Sequence, residues 1–412
     1  MDLKVPIFLS LVLIIIVLVL LAFHPAWYFH LQTDINVYFA RANYFLQNSS
    51  FRGLVGNEYQ PGALIFFIAA SPILFVSNTF QSYLWSLFSL NILLILILAY
   101  LYKIYGDIKN IFIFVLILLF TGPIILFRFD LYVMSTLVAS FFLFKKDHRI
   151  LATAVLAYAS IIKIFPVIFL PYYLIIEYKN RGLKESVGIF LVFLLSYISY
   201  LAVFSRATAM NFPQILGSFG FIANTPIHTE SLWGTLTTLF WLIVSGEFAK
   251  GAGSWGIFGI APEYQLGPLW FYNYFWLIPL SVFYLWLFFK FKDKKCVFDI
   301  NVCLLIALLF LLFSKILHHQ YLLWFMLLLP LVSWSEILTH VRWIILIFLT
   351  LLMTFVNQYI YPLHYSDWVF QLYVNGTYSY LFWLVALRNL ILIFLFERII
   401  KEFRRNISQN YE

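Results

Sequence analysis

Hydrophobic residues run along this chain in blocks about as long as a membrane crossing, separated by short charged breaks. A transmembrane helix needs roughly 20 apolar residues, at 1.5 Å of rise each, to cross about 30 Å of hydrocarbon. Residues 6–23 meet that length. Further runs follow at about 80–102, 110–127, 129–144, 150–163, 165–178 and 185–204, then at 269–290, 299–314, 320–334, 341–360 and 378–400. The pattern predicts an all-α polytopic membrane protein of about twelve transmembrane helices. No small-residue cleavage site follows the first run, so it reads as a retained helix and not as a signal peptide. Two apolar stretches do not fit as spans: Gly62 to Val76 is short and holds Pro72, and Leu232 to Val244 lies inside a long interruption. Both read as interfacial or half-embedded helices.

The breaks orient the spans, because cytoplasmic loops attract Lys and Arg. Basic residues mark Lys103 to Lys109, Lys145 to Arg149, Lys179 to Lys184, Lys290 to Lys295, Arg342, and Arg398 to Arg405. With these and Lys4 inside, both termini are cytoplasmic. Residues 1–412 then form one membrane domain with two elaborated outer loops, 24–79 and 205–268, and juxtamembrane helices in the first. Chemistry is expected on that outer face, since loops on a rigid scaffold carry function more often than the scaffold itself.

Composition agrees with this class. Of the 412 residues, 63% are hydrophobic, 21% aromatic and only 11% charged, against about 25% charged in a soluble domain. That excludes a cytosolic enzyme, and the aromatic content excludes disorder. The net charge of +8 is a topology signal, and no nucleic-acid partner is expected. Cys296 and Cys303 form neither a disulfide framework nor a metal pattern, and read as structural thiols.

Candidate chemistry lies where ionisable residues meet the outer ends of spans, since such residues are costly at membrane depth. Thr33 to Leu46 reads as an amphipathic helix. Asp34, Tyr38 and Arg41 share one face of it, and Ile35, Phe39, Ala42 and Leu46 another. Asp34 is either a helix cap or a general base whose pKa the apolar surroundings adjust. Glu58, Tyr59, Gln60, Pro61 and Gly62 join this helix to the half-embedded one, and Pro61 suits a helix's first turn. Glu58 is either solvated or binds a hydroxyl-rich substrate. Arg128 and Asp130 are either a local ion pair or, for Arg128, a planar guanidinium offered to phosphate. Lys163 either snorkels or binds phosphate. Lys315, His318, His319 and Gln320 lie between two apolar runs. His318 and His319 point apart on a helix, and no acid cluster accompanies them, so no metal is expected. His228, Glu230, Trp233, Glu263, Asp367 and Trp368 carry no assigned role, being equally explained as interfacial belt residues or solvated charges. The sequons Asn48-Ser49-Ser50 and Asn375-Gly376-Thr377 are short enough to arise by chance.

Four of these patterns together resemble the C-type membrane glycosyltransferases, and among them glycosyltransferase family 87. They are Asp34 with Val37, Tyr38, Ala42 and Leu46; Tyr59-x-Pro61; Asp130 through Ala152 to Lys163-x-x-Pro166; and Ser314-Lys315 with Gln320-Tyr321 and Trp324. Pro61-Gly62 departs from the tandem prolines of that family. The resemblance implies transfer of a hexose, mannose in the best-matching members, from a polyprenyl-phosphate sugar to a glycolipid or glycan acceptor, with inversion. It implies Asp34 as the catalytic base, and Arg128, Lys163, Lys315 and His318 around the donor phosphate. Tyr38, Arg41, Glu58, Tyr59, Asp130, His319 and Gln320 are then candidates for substrate contact. It implies membrane lipids as the surroundings and no cofactor. The sequence shows no phosphate-binding or dinucleotide glycine loop. A prokaryotic plasma membrane with the site facing outward is the expected location. Two rivals remain. A lipid or glycolipid flippase would show inverted repeats with matched broken spans. An O-antigen-type polymerase or ligase would place arginines in its large outer loop, where residues 205–268 offer only Arg206 and Lys250.

Overall fold

A computed structural model describes residues 28–51, 59–71, 77–106, 108–254, 257–291, 296–332, 341–369 and 380–411. The expected first span at 6–23, Lys4, Glu58, residues 72–76, the second half of the Lys290–Lys295 break, the end of the run at 320–334 and the Asn375 sequon lie outside them. In chain order the helices are α1 (Tyr28–Asn48), α2 (Pro61–Ala69), α3 (Phe80–Tyr105), α4 (Ile108–Thr121), α5 (Asp130–Lys145), α6 (Arg149–Ile162), α7 (Leu170–Arg181), α8 (Leu183–Thr208) and α9 (Phe212–Asn224). Then follow α10 (Leu232–Ser245), α11 (Leu269–Tyr274), α12 (Leu277–Lys290), α13 (Ile300–Phe313), α14 (Leu322–Met326), α15 (Val341–Gln358), α16 (Tyr365–Val369) and α17 (Tyr380–Tyr411). An antiparallel hairpin, β1 (Gly251–Ser254) with β2 (Ile257–Ile260), is the one sheet among the described residues.

Among the described residues, five helical stretches are long and apolar enough to cross a membrane: Phe80–Tyr105, Leu183–Thr208, Leu269–Lys290, Ile344–Leu363 and Tyr380–Arg404. Several of the remaining apolar runs are shorter helices. Along α8, Leu183, Phe190, Leu191, Leu195, Ile198 and Val203 are all exposed, and only Ile189, Phe193 and Thr208 are buried. Water does not tolerate an apolar face of that extent, and lipid does. The run at 320–334 is not a continuous helix. A 3-10 turn (His319–Tyr321), the short α14 and a second 3-10 turn (Leu329–Leu331) divide it, and Pro330 lacks the N–H that would extend the ladder. Pro166 and Pro171 likewise open the run at 165–178 as a 3-10 turn before α7.

The chain folds as two compact units, each drawn from several stretches of sequence. The first comprises residues 1–111, 123–222 and 284–298. Its centre is the antiparallel hairpin of α5 and α6, with α8 packed on α6 and on α7, α3 on α5, and α1 on α2. Ser140 Oγ donates to the Ala152 carbonyl at 2.7 Å across that hairpin. Phe144 stacks on Tyr173 with centroids 3.8 Å apart. At one end of the hairpin Asp147 takes hydrogen bonds from Arg149 and Arg181, and Arg149 pairs with the buried Glu177. The breaks Lys145–Arg149 and Lys179–Lys184 thus meet at one end of this hairpin. The 16 residues of α5 separate this end from Asp130 by roughly 24 Å.

The second unit comprises residues 112–122, 223–283 and 299–412. In it α13, α15 and α10 pack on α17. Phe248, Val356, Ile360, Trp368, Leu381, Phe382 and Val385 form an apolar core. Beside it lies a buried polar network. Arg388 Nη1 meets Glu230 Oε2 at 2.8 Å, with the two side chains 0% and 2% exposed. The same nitrogen donates to Asn357 Oδ1 at 3.1 Å, and Asn389 donates to the Glu230 carbonyl at 3.1 Å and to Thr235 Oγ1 at 2.9 Å. A buried ion pair adds little net stability over an apolar equivalent, but losing one partner strands the other charge. Arg388→Leu is therefore expected to destabilise the protein by about 3–5 kcal/mol, and adding Glu230→Leu should recover most of the loss. Melting midpoints of the detergent-solubilised single and double variants test this; a double variant no more stable than the single one would contradict it.

Candidate active site

Asp34 is not a helix cap. The α1 helix is already under way six residues earlier at Tyr28, and the Thr33 hydroxyl donates back to the Phe29 carbonyl at 3.3 Å. The buried stripe of α1 is Leu31, Ile35, Tyr38 and Ala42, a 4-3-4 spacing that marks one helix face. Tyr38 thus belongs with Ile35 and Ala42, and not on a separate polar face, while Phe39 and Leu46 are only half-buried. Asp34 borders the stripe and keeps 33% of its side chain exposed. Its Oδ2 lies 3.1 Å from Nη1 of Arg128, which is 1% exposed. The same nitrogen reaches the carbonyls of Leu31 (3.3 Å) and Phe127 (3.4 Å). A guanidinium removed from water needs such partners for its donors.

Asp130, the first residue of α5, is fully buried, and its Oδ1 takes a hydrogen bond from Lys163 Nζ at 2.7 Å. Lys163 closes α6, and the α5–α6 hairpin brings the start of one helix beside the end of the other. Lys163 is therefore an ion-paired lysine, 16% exposed, with Nζ 4.9 Å from the centre of the Phe129 ring. It does not snorkel alone. Arg128 and Asp130, two apart in sequence, each reach a partner on a different helix. The four groups form two acid–base pairs with no formal net charge.

Aromatic rings wall this polar end. Tyr38 is fully buried, stacked on Phe67 at 4.3 Å and set edge-on to Phe129 and Tyr59, each at 5.8 Å. Its hydroxyl has no hydrogen-bond partner among the described residues, and burial pushes its pKa well up. Tyr38 contributes packing beneath Asp34, and Tyr59, half-buried, adds to the same ring cluster. Arg41 lies half-buried two turns further along α1.

The Gln60-Pro61-Gly62 turn fixes this arrangement to Lys163. With its amide oriented to donate, Gln60 reaches the carbonyls of Ser160 (3.0 Å) and Ile161 (3.2 Å). A Cβ added at Gly62 would lie 2.8 Å from the Ile161 carbonyl group. The start of α2 therefore sits directly on the last turn of α6, one residue before Lys163, and only glycine allows that approach.

Lys315, His318, His319 and Gln320 belong to the second unit. Lys315 is 4% exposed, and its Nζ donates to the carbonyls of Ala223 (3.0 Å) and Thr225. The half-buried His318 ring lies 4.3 Å from that of His228. His319 is stacked on Tyr361, with centroids 3.3 Å apart. Gln320 is half-buried in the 3-10 turn. Sequence reasoning left His228 and Glu230 without a role, and the structure puts both at buried polar contacts. Among the described residues no group of three or more His, Cys, Asp or Glu could hold a metal ion. Comparison with models of known families and with curated proteins finds nothing that matches the chain.

Gly62→Ala is expected to destabilise the protein by about 1–3 kcal/mol, the usual cost of forcing an extra methyl against a packed backbone. Gly188→Ala on α8, where nothing lies within 4 Å of the added carbon, should instead stabilise by up to ~1 kcal/mol. Paired melting curves of the two variants measure both signs.

Proposed function

We propose that the chain is a polytopic membrane glycosyltransferase. It moves a hexose, mannose in the reading the sequence resemblance favours, from a polyprenyl-phosphate donor to a hydroxyl of a glycolipid or glycan acceptor. The twelve-span arrangement, cytoplasmic termini, outward-facing site and prokaryotic plasma membrane belong to the same proposal. The observation that carries it is the state of Asp34: a carboxylate one-third exposed, beside an apolar helix face, with one oxygen held by a buried guanidinium. Its other oxygen, Oδ1, makes no hydrogen bond among the described residues and points the chemistry toward proton acceptance.

In this mechanism Asp34 Oδ1 takes the proton of the acceptor hydroxyl as that oxygen attacks the anomeric carbon. The bond from that carbon to the phosphate oxygen breaks, and the electron pair leaves with the lipid phosphate. One displacement inverts the configuration. Arg128 orients the base, and Lys163, itself oriented by Asp130, supplies positive charge against the charge that develops on the leaving group. Lys315 and His318, which belong to the second unit, are proposed as phosphate ligands from the sequence resemblance. The aromatic wall keeps water from competing with the acceptor.

Asp34→Asn should abolish transfer of labelled sugar from polyprenyl-phosphate mannose while the protein still elutes as a folded species. Full activity in the Asn variant would sink the assignment of the base. Lys163→Ala should raise the apparent KM for the donor at least tenfold, and an unchanged KM would count against its role. If the reconstituted protein instead moves labelled glycolipid between leaflets without forming a new glycosidic bond, the flippase reading replaces this one.

A further inference from the structure

His228 is held in place by its own segment and by two others. Its backbone N–H donates to the Lys315 carbonyl at 2.9 Å, and its carbonyl accepts from the Ser231 N–H (3.0 Å) and hydroxyl (2.7 Å). It bridges to Gly259 of β2. Ser231 in turn caps α10 by accepting from the Gly234 N–H at 3.0 Å. A Cβ at Gly234 would fall 2.3 Å from the His228 carbonyl oxygen, so the glycine permits the tight turn. The His228 side chain is buried, its ring hydrogen-bonds to the Leu317 carbonyl, and its Nδ1 has no partner among the described residues. A buried polar atom without a partner costs free energy unless something else satisfies it.

The neighbouring charges indicate what that something is. Lys315, 4% exposed, has no carboxylate partner among the described residues, and two backbone carbonyls hold it in place. Burial pulls its pKa down to about 8. The nearest buried acid on this segment, Glu230, is paired with Arg388. A buried ammonium lacking a counter-charge favours an anion, and His318, half-buried and 4.3 Å from His228, marks the accessible side.

We propose that His228 is a binding residue of an anion site formed with Lys315 and His318, and that the ligand is a phosphate ester or free phosphate. The proposal rests on reading Lys315 and His318 as phosphate ligands and adds His228 to them. The charged form of His228 is disfavoured by burial and by Arg388, against the pull of Glu230. An anion beside Lys315 and His318 reverses the balance. His228 takes a proton from solvent, one ring N–H stays on the Leu317 carbonyl, and the Nδ1–H donates to a ligand oxygen.

The test uses the full chain in detergent with two probes, inorganic phosphate and dodecyl phosphate. Binding of dodecyl phosphate alone identifies a lipid headgroup, and comparable binding of both identifies phosphate in general. Binding of neither overturns the proposal. His228→Asn and His228→Phe should each weaken binding at least tenfold with the melting midpoint unchanged, and Lys315→Met should weaken it further. In protein carrying 15N-labelled histidine, the Nδ1 resonance missing from His228→Asn should shift when the probe is added. An unchanged Kd in either folded His228 variant, or no shift of that resonance, refutes the role of His228. Asp34→Asn should bind the probe as the parent does. If the parent protein binds the probe but transfers no sugar, the glycosyltransferase reading alone fails.

Discussion

Arg128 is the side chain on which the polar end of the first unit depends. A guanidinium can hardly lose its charge, so one that is 1% exposed must be met by acceptors wherever it lies. Here they come from a helix 97 residues earlier in sequence: the Leu31 carbonyl and the Asp34 carboxylate. Satisfying this one cation therefore fixes the position and rotation of α1 against the turn that starts α5. The Asp34 carboxylate is thereby held at the edge of the buried stripe. The same turn places Asp130 beneath Lys163, so one short segment, Phe127 to Asp130, organises both acid–base pairs.

The two units treat buried charge differently. In the first, each cation of the site has a carboxylate within 3.1 Å. In the second, Arg388 is paired in the same way, while Lys315 has only backbone carbonyls. A paired cation orients and tunes its partner. A cation without a carboxylate is poised to attract one charge more. The first arrangement holds a carboxylate in place at Asp34, and the second leaves the Lys315 charge held by backbone alone.

Much of the helix order was legible because apolar runs of the right length are a strong signal, and α3, α8, α13 and α17 begin close to where those runs begin. The pairing of Asp130 with Lys163 was within reach too, since two runs of similar length joined by Lys146 to His148 must fold back on each other. Tyr38 was misplaced because spacing from Asp34 links it to Asp34 and Arg41, whereas the packed stripe passes through Leu31 and Ile35. Helical spacing gives which residues are neighbours and leaves open which of two adjoining stripes is covered. Glu230 and Arg388 could not be matched from sequence, since 158 residues separate them and each reads alone as a charged residue near a span end. His228 was passed over for a similar reason: its partners, Lys315 and His318, lie far along the chain.

The close seat of Gly62 on Ile161 makes two remote parts of the chain mechanically one. Six of the nine residues of Pro61–Ala69 are buried, so this short helix moves with the elements it packs against. Because Gln60 and Gly62 grip the last turn of α6, a tilt of Pro61–Ala69 carries the turn bearing Lys163 with it. A substitution that shifts Pro61–Ala69 therefore reaches the geometry of the Lys163–Asp130 pair without touching either residue.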